Sequence, residues 1–206
     1  MPPTDNAIVH LIDDDEGVRE GITILLTEAG FMVRSHKSGT DFMDVLGTAT
    51  SGVIVSDIRM PGIDGLELQQ RLKAARNGLP LIFITGHGDI QMAVQAIRQG
   101  ARDFIEKPID DVVLIDAIRG ALKDTAPHPE LQIEADVAGR LETLTPREKE
   151  VLECLVIGKM NKMTAHELSM SIRTVEVHRA RIMQKMQARS LSELVRMVMS
   201  VKSQPA

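Results

Sequence analysis

An acidic pair at Asp13-Asp14, a lone aspartate at Asp57, a hydroxyl at Thr85 and an ammonium at Lys107 each follow or close a short apolar-rich run. Three carboxylates brought close together would repel and raise one another's pKa. A hard cation relieves that repulsion, and Mg²⁺ takes one or two carboxylates together with waters and phosphate oxygens. A carboxylate can also attack phosphorus to give an acyl phosphate. A metal, a lysine and a hydroxyl would then neutralise the oxygens of the transferred group. Asp57 is the central member and the candidate phosphate acceptor. Asp13 and Asp14 are candidates to hold the metal, and Thr85 and Lys107 to grip the phosphoryl group.

These residues meet only if the chain folds in a particular way. Residues 7–12, 31–36, 53–57, 81–85 and 103–106 read as strands. Amphipathic stretches at 16–29, 40–46, 66–76, 90–99 and 110–122 read as helices between and after them. Five β-then-α units predict a parallel sheet covered on both faces. Val53-Ile54-Val55 and Leu81-Ile82-Phe83-Ile84 are near-continuous apolar runs, as doubly covered strands require. Such sheets bind ligands at the carboxyl ends of their strands, where all five polar groups fall. Met60-Pro61-Gly62 and Asp64-Gly65 supply the turn that leads away from Asp57. Asp15 and Glu16 read as first-turn acids of a helix, His10 as a structural strand residue, and His87 as a loop residue.

The formal charge of −5 is unevenly spread. Residues 1–124 carry 12 basic and 19 acidic side chains, and residues 140–206 carry 12 and 7, so the second part suits an anionic partner. A single cysteine, Cys154, excludes an intramolecular disulfide and reads as a core-lining thiol. No apolar run approaches the ~20 residues of a membrane span. The stretch MPPTDNAIVHLIDDDEG lacks the basic region of a signal peptide, so a cytoplasmic location is expected. Residues 124–140, with two prolines and no clear period, read as a linker, partly helical near 131–137. Beyond it four short helices are expected, at 146–157, 162–168, 174–186 and 191–201. Thr145, Pro146 and Glu148 provide the N-cap, first-position proline and first-turn acid of the first of them. Between Lys159 and Arg189 there are seven basic and two acidic residues. Basic groups on a helix after a tight turn can neutralise DNA phosphates and enter the major groove.

HLIDDDEGVR, VSDIRMPGIDGLEL, FITGHGD and ARDFIEKP resemble the motifs of two-component response-regulator receivers, over residues 7–122. The resemblance implies a flavodoxin-like (βα)5 domain with parallel sheet order 2-1-3-4-5, spanning residues 1–123. It implies phosphorylation of Asp57 by a sensor histidine kinase. It implies Mg²⁺ on Asp14, Asp57 and the backbone carbonyl of Arg59, with Asp13 assisting. Thr85 and Phe104 become the switch pair, and the bond before Pro108 is expected to be cis.

LTPREKEVLECLVIGKMNKMTAHELSMSIRTVEVHRARIMQKM resembles the LuxR/NarL-type helix-turn-helix, in a small all-α four-helix domain over 141–206. It departs from that pattern at Ser169 and Ile172, where glycine and proline are common. Candidate DNA-binding residues are Lys162, Arg173, Thr174, Glu176, Val177, His178, Arg179, Arg181 and Lys185, with Val177 able to touch a thymine methyl. Receiver and output together resemble the NarL/FixJ group of transcription regulators. The resemblance implies a regulator that is no enzyme beyond assisting its own phosphorylation and dephosphorylation. It implies homodimerisation on phosphorylation through Val94, Arg98 and Asp103, binding to double-stranded DNA, contact with RNA polymerase, no membrane association, and activation of nitrogen-fixation or microaerobic genes. Two other readings stand beside it. One is an aspartate-nucleophile phosphatase, which as a family carries its nucleophile after the first strand. The other is a phosphorylation-independent DNA-binding regulator with a vestigial receiver.

Overall fold

In the computed structural model, residues 7–49, 51–86, 90–123 and 130–202 are described. Five strands, β1 (Ile8–Ile12), β2 (Met32–His36), β3 (Val53–Asp57), β4 (Leu81–Thr85) and β5 (Asp103–Glu106), form one parallel sheet in the order β2-β1-β3-β4-β5. The register sets Ile12 beside Ser56, Asp57 beside Ile84, and Thr85 beside Glu106. The functional ends of β1, β3, β4 and β5 are therefore level. The helices that follow the strands are α1 (Glu16–Glu28), α2 (Gly39–Val45), α3 (Gly65–Ala74), α4 (Ile90–Arg98) and α5 (Asp111–Lys123).

Alternation decides which side chains meet which layer. Val9, Leu11, Val53, Val55, Ile82 and Ile84 face Ile22 and Leu26 of α1 and Leu114 and Ile118 of α5 in one buried cluster. His10 lies on the opposite face, where its ring packs against those of His36 and Phe42. Every residue of β3 and β4 is buried, as their unbroken apolar runs imply. Asp15 caps α1 by accepting from the Val18 amide, Ser38 caps α2 through Asp41 and Asp64 caps α3 through Glu67. Each such cap stabilises its helix by about 1 kcal/mol.

Five further helices follow: α6 (Glu130–Glu142), α7 (Pro146–Val156), α8 (Asn161–Glu167), α9 (Ile172–Met186) and α10 (Leu191–Lys202). Most of the stretch read as a linker thus forms α6, with Val137 buried. Thr145 and Glu148 close a full capping box on α7, with Pro146 in its first turn. The α8–α9 turn passes through Ser169 at φ 51°, the left-handed conformation usually left to glycine. By packing, the chain divides into Met1–Asp89 with Gln99–Ala126, and Ile90–Arg98 with Pro127–Ala206.

Candidate functional site

At the carboxyl edge of the sheet, carboxylate oxygens of Asp13, Asp14 and Asp57 all lie within 4.8 Å of one another. Asp13 is fully buried, Asp57 is 8% exposed and Asp14 is exposed. Lys107 Nζ reaches across from the end of β5, 2.7 Å from Asp57 Oδ2 and 3.3 Å from Asp13 Oδ2. The Asp15 amide donates to Asp13 Oδ1 at 2.9 Å, and Arg19 donates to the Asp13 carbonyl. The Arg59 amide donates to Asp57 Oδ1 at 3.2 Å. Thr85 is fully buried beside this group, its hydroxyl making one long contact of 3.4 Å to the Gly86 carbonyl.

The electrostatics follow from burial. Desolvation pushes the Asp13 carboxyl above its ordinary pKa, against the Asp15 amide and Lys107. Burial also opposes the charge on Lys107, but the hydrogen bond and field of Asp57 outweigh it and raise the ammonium's pKa. Lys107 pairs with two of the three clustered carboxylates, which leaves the cleft short of positive charge. That deficit, with converging oxygen donors, fits a hard divalent cation.

Gly65 explains how the chain leaves the site. A Cβ there would lie 2.6 Å from Phe83 Cε1 and 2.9 Å from the Asp57 carbonyl oxygen. Only glycine lets α3 start so close behind the strand that carries Asp57. The Lys107–Pro108 bond is cis, as expected. Phe104 is half-buried on β5 beside Phe83. Of the residues expected at a dimer contact, Arg98 is exposed and Asp103 half-buried, while Val94 is 1% exposed. Burial lowers the pKa of His10, which packs away from the carboxylates. His87 lies outside the described residues. Cys154 is buried and its thiol is pushed up by desolvation, as suits a core residue.

In the helical part, Val175, Ile182 and Met186 form the buried stripe of α9. Arg173, Val177, Ala180 and Gln184, at helical spacing, form the opposite exposed stripe, with Thr174, Glu176 and Arg181 exposed beside it. Lys162 is exposed on α8. Three of the expected DNA-binding side chains sit on the flanks instead. His178 is half-buried, Arg179 donates to Asn161 Oδ1 at 2.8 Å, and Lys185 Nζ is 2.7 Å from Glu148 Oε2. Sequence reasoning missed Arg19, Asn161, Arg140 and the ion-pair role of Glu148. Only the capping pattern around Glu148 was visible.

Residues 9–119 match the model of the response regulator receiver domain, and residues 142–198 match that of bacterial regulatory proteins of the luxR family. The chain belongs to the response-regulator family. Its receiver is joined to a LuxR-type output domain. It is 45% identical over 192 residues to the transcriptional regulatory protein FixJ of Bradyrhizobium diazoefficiens, covering 93% of this chain and 94% of that one. FixJ of Rhizobium meliloti is also 45% identical, over 193 residues and 93% and 95% of the two chains. A crystal structure of full-length FixJ from B. japonicum matches with a TM-score of 0.58 at 42% identity, covering 98% of this chain and all of that one. This combination of domains is that of a phosphorylation-dependent transcription regulator. No helix among the described residues is long and apolar enough to cross a membrane.

Proposed function

We propose that this response regulator takes a phosphoryl group from a partner histidine kinase onto Asp57. It then dimerises, binds specific double-stranded DNA and, with RNA polymerase, activates transcription. Targets among nitrogen-fixation or microaerobic genes are supported by the likeness to proteins named FixJ. The observation that carries this reading is the contact of Lys107 Nζ with both Asp57 and Asp13 inside a three-carboxylate cluster. The receiver is assigned to 1–123, the connecting segment to 124–140 and the output domain to 141–206. A cytoplasmic location fits these partners.

Asp57 supplies the attacking oxygen, and the P–N bond to the kinase's phosphohistidine breaks as the P–O bond to Asp57 forms, with the imidazole as leaving group. Asp13, Asp14, Asp57 and the Arg59 carbonyl would hold Mg²⁺, which when bound offsets charge on the phosphoryl oxygens. Lys107 lies within hydrogen-bond reach of Asp57 and can follow one phosphoryl oxygen. Thr85, buried and weakly bonded, is free to turn its hydroxyl toward another. That movement vacates space into which Phe104 packs, and the change at β4 and β5 biases a two-state receiver. Dimerisation involves Val94, Arg98 and Asp103, of which Arg98 and Asp103 can pair across a two-fold axis. Two output domains then suit half-sites about one helical turn apart.

The experiment is transfer of radiolabel from a phosphorylated histidine kinase. Label should enter the wild type with Mg²⁺ present and be absent from Asp57→Asn. Label retained by that variant at wild-type level would move the acceptor elsewhere.

A further inference from the structure

We infer that Lys185, together with Arg140, is a positioning residue that fixes the angle of α9 and does not itself contact DNA. The inference rests on the proposal that α9 binds duplex DNA.

Three observations carry it. Glu148 is 2% exposed, so its carboxylate has little access to water. It accepts from the Thr145 amide at 2.8 Å and from Lys185 Nζ at 2.7 Å. The same Nζ donates to the Thr143 carbonyl at 3.1 Å, so the ammonium is tied to the segment that leads into α7. Lys185 lies on the last turn of α9, and Arg140 holds the same end of the helix. From α6, Arg140 Nη1 donates to the Met186 carbonyl at 3.0 Å, and Asp136 holds the same guanidinium. The left-handed residue Gln187 ends the helix immediately after. The C-terminal end of α9 is therefore pinned from α6 and from the start of α7 by two cations.

Two of the three Lys185 N–H donors are taken by Glu148 and the Thr143 carbonyl, and moving the ammonium out to a phosphate would weaken its bond to a buried carboxylate, which is unfavourable. The outward stripe of Arg173, Val177, Ala180 and Gln184, with Arg181 beside it, needs no such exchange. Arg140 marks α6 as part of the support for α9, so the segment leading from the receiver ends on the helix proposed to read DNA.

Salt dependence separates positioning from contact. Each phosphate contact adds about 0.9 to the slope of log K against log salt. The full-length protein, treated with acetyl phosphate and Mg²⁺, is titrated with a mixed-sequence duplex and with a duplex selected by the wild type from a random pool. Arg181→Gln should reduce the slope by about one. Lys185→Gln and Arg140→Gln should keep the wild-type slope and lose roughly tenfold in preference for the selected duplex, the size of one misplaced base contact. Lys185→Arg, which can still bond Glu148, should restore most of that preference. A merely structural loss would lower the thermal midpoint without changing the preference of the folded fraction, and would contradict the inference. A slope reduced by about one in Lys185→Gln would overturn it and make Lys185 a phosphate contact. Should Lys185→Gln fail to fold, Arg140→Gln decides the same question by the same two readouts. Failure of the wild type to bind either duplex at low salt would instead remove the underlying DNA-binding reading.

Discussion

Asp13 has no exposed surface, yet it sits in a cluster with two more carboxylates. Its raised pKa, caused first by desolvation, means that the folded state holds the Asp13 proton more readily than the unfolded chain. The charged form therefore opposes folding at neutral pH, and the penalty is relieved as pH falls through the raised value. Asp13→Asn is expected to raise the denaturation midpoint at neutral pH without Mg²⁺ and to weaken Mg²⁺ binding. Urea titration and metal titration of the same preparation check both halves. Glu148 is the opposite case. Lys185 and the Thr145 amide hold its pKa at about 2, against 4.5 for a free glutamate. Its stabilising contribution is present above pH 4.5 and is lost as pH falls through about 2. Glu148→Gln should cost about 1–3 kcal/mol at neutral pH, the range for hydrogen bonds to charged groups. It should also flatten the acid limb of stability against pH, as denaturant midpoints across that range would reveal.

Gly65 and Ser169 show two ways a turn can be built. Gly65 has no room for a Cβ, since Phe83 and the backbone at Asp57 and Ile58 fill the space. Gly65→Ala is expected to destabilise the receiver by about 1–3 kcal/mol and to disturb Asp57. Calorimetry together with the rate of phosphorylation tests the two effects. Ser169 adopts φ 51° between α8 and α9 without being glycine. Ser169→Gly should stabilise the output helices by up to about 1 kcal/mol, measured by the unfolding midpoint. The sequence displayed most of these elements. β3 and β4 end within two residues of their apolar runs, because strands covered on both faces leave little ambiguity. The carboxylate cluster was legible for the same reason, since level strand ends bring Asp13 and Asp57 together. α6 was seen only in part, because prolines at 127 and 129 and a weak apolar stripe hid a helix whose support comes from tertiary contacts such as Arg140 with Met186. The fate of Lys185 was illegible too. Nothing in spacing reveals that a lysine on a basic helix face will meet a buried glutamate 37 positions earlier.

The chain as a whole joins an acidic, metal-fitting cleft to a helical part with a basic excess. The family assignment says which kinds of domain these are, and the geometry says which side chains face outward. Arg98 is exposed and Asp103 half-buried, whereas Val94 is enclosed. The dimer contact proposed for Val94, Arg98 and Asp103 should be weakened by Arg98→Ala, whose side chain is exposed. Light scattering after acetyl phosphate treatment would measure this. The central claim is that phosphate on Asp57 switches on DNA binding. Its most direct test measures duplex affinity of the wild type and of Asp57→Asn, each with and without acetyl phosphate and Mg²⁺. The wild type should gain at least tenfold on phosphorylation, a coupling in the usual range of roughly 1–3 kcal/mol, and the variant should gain nothing. An equal gain in both proteins, or none in a wild type that carries phosphate on Asp57, would contradict the account.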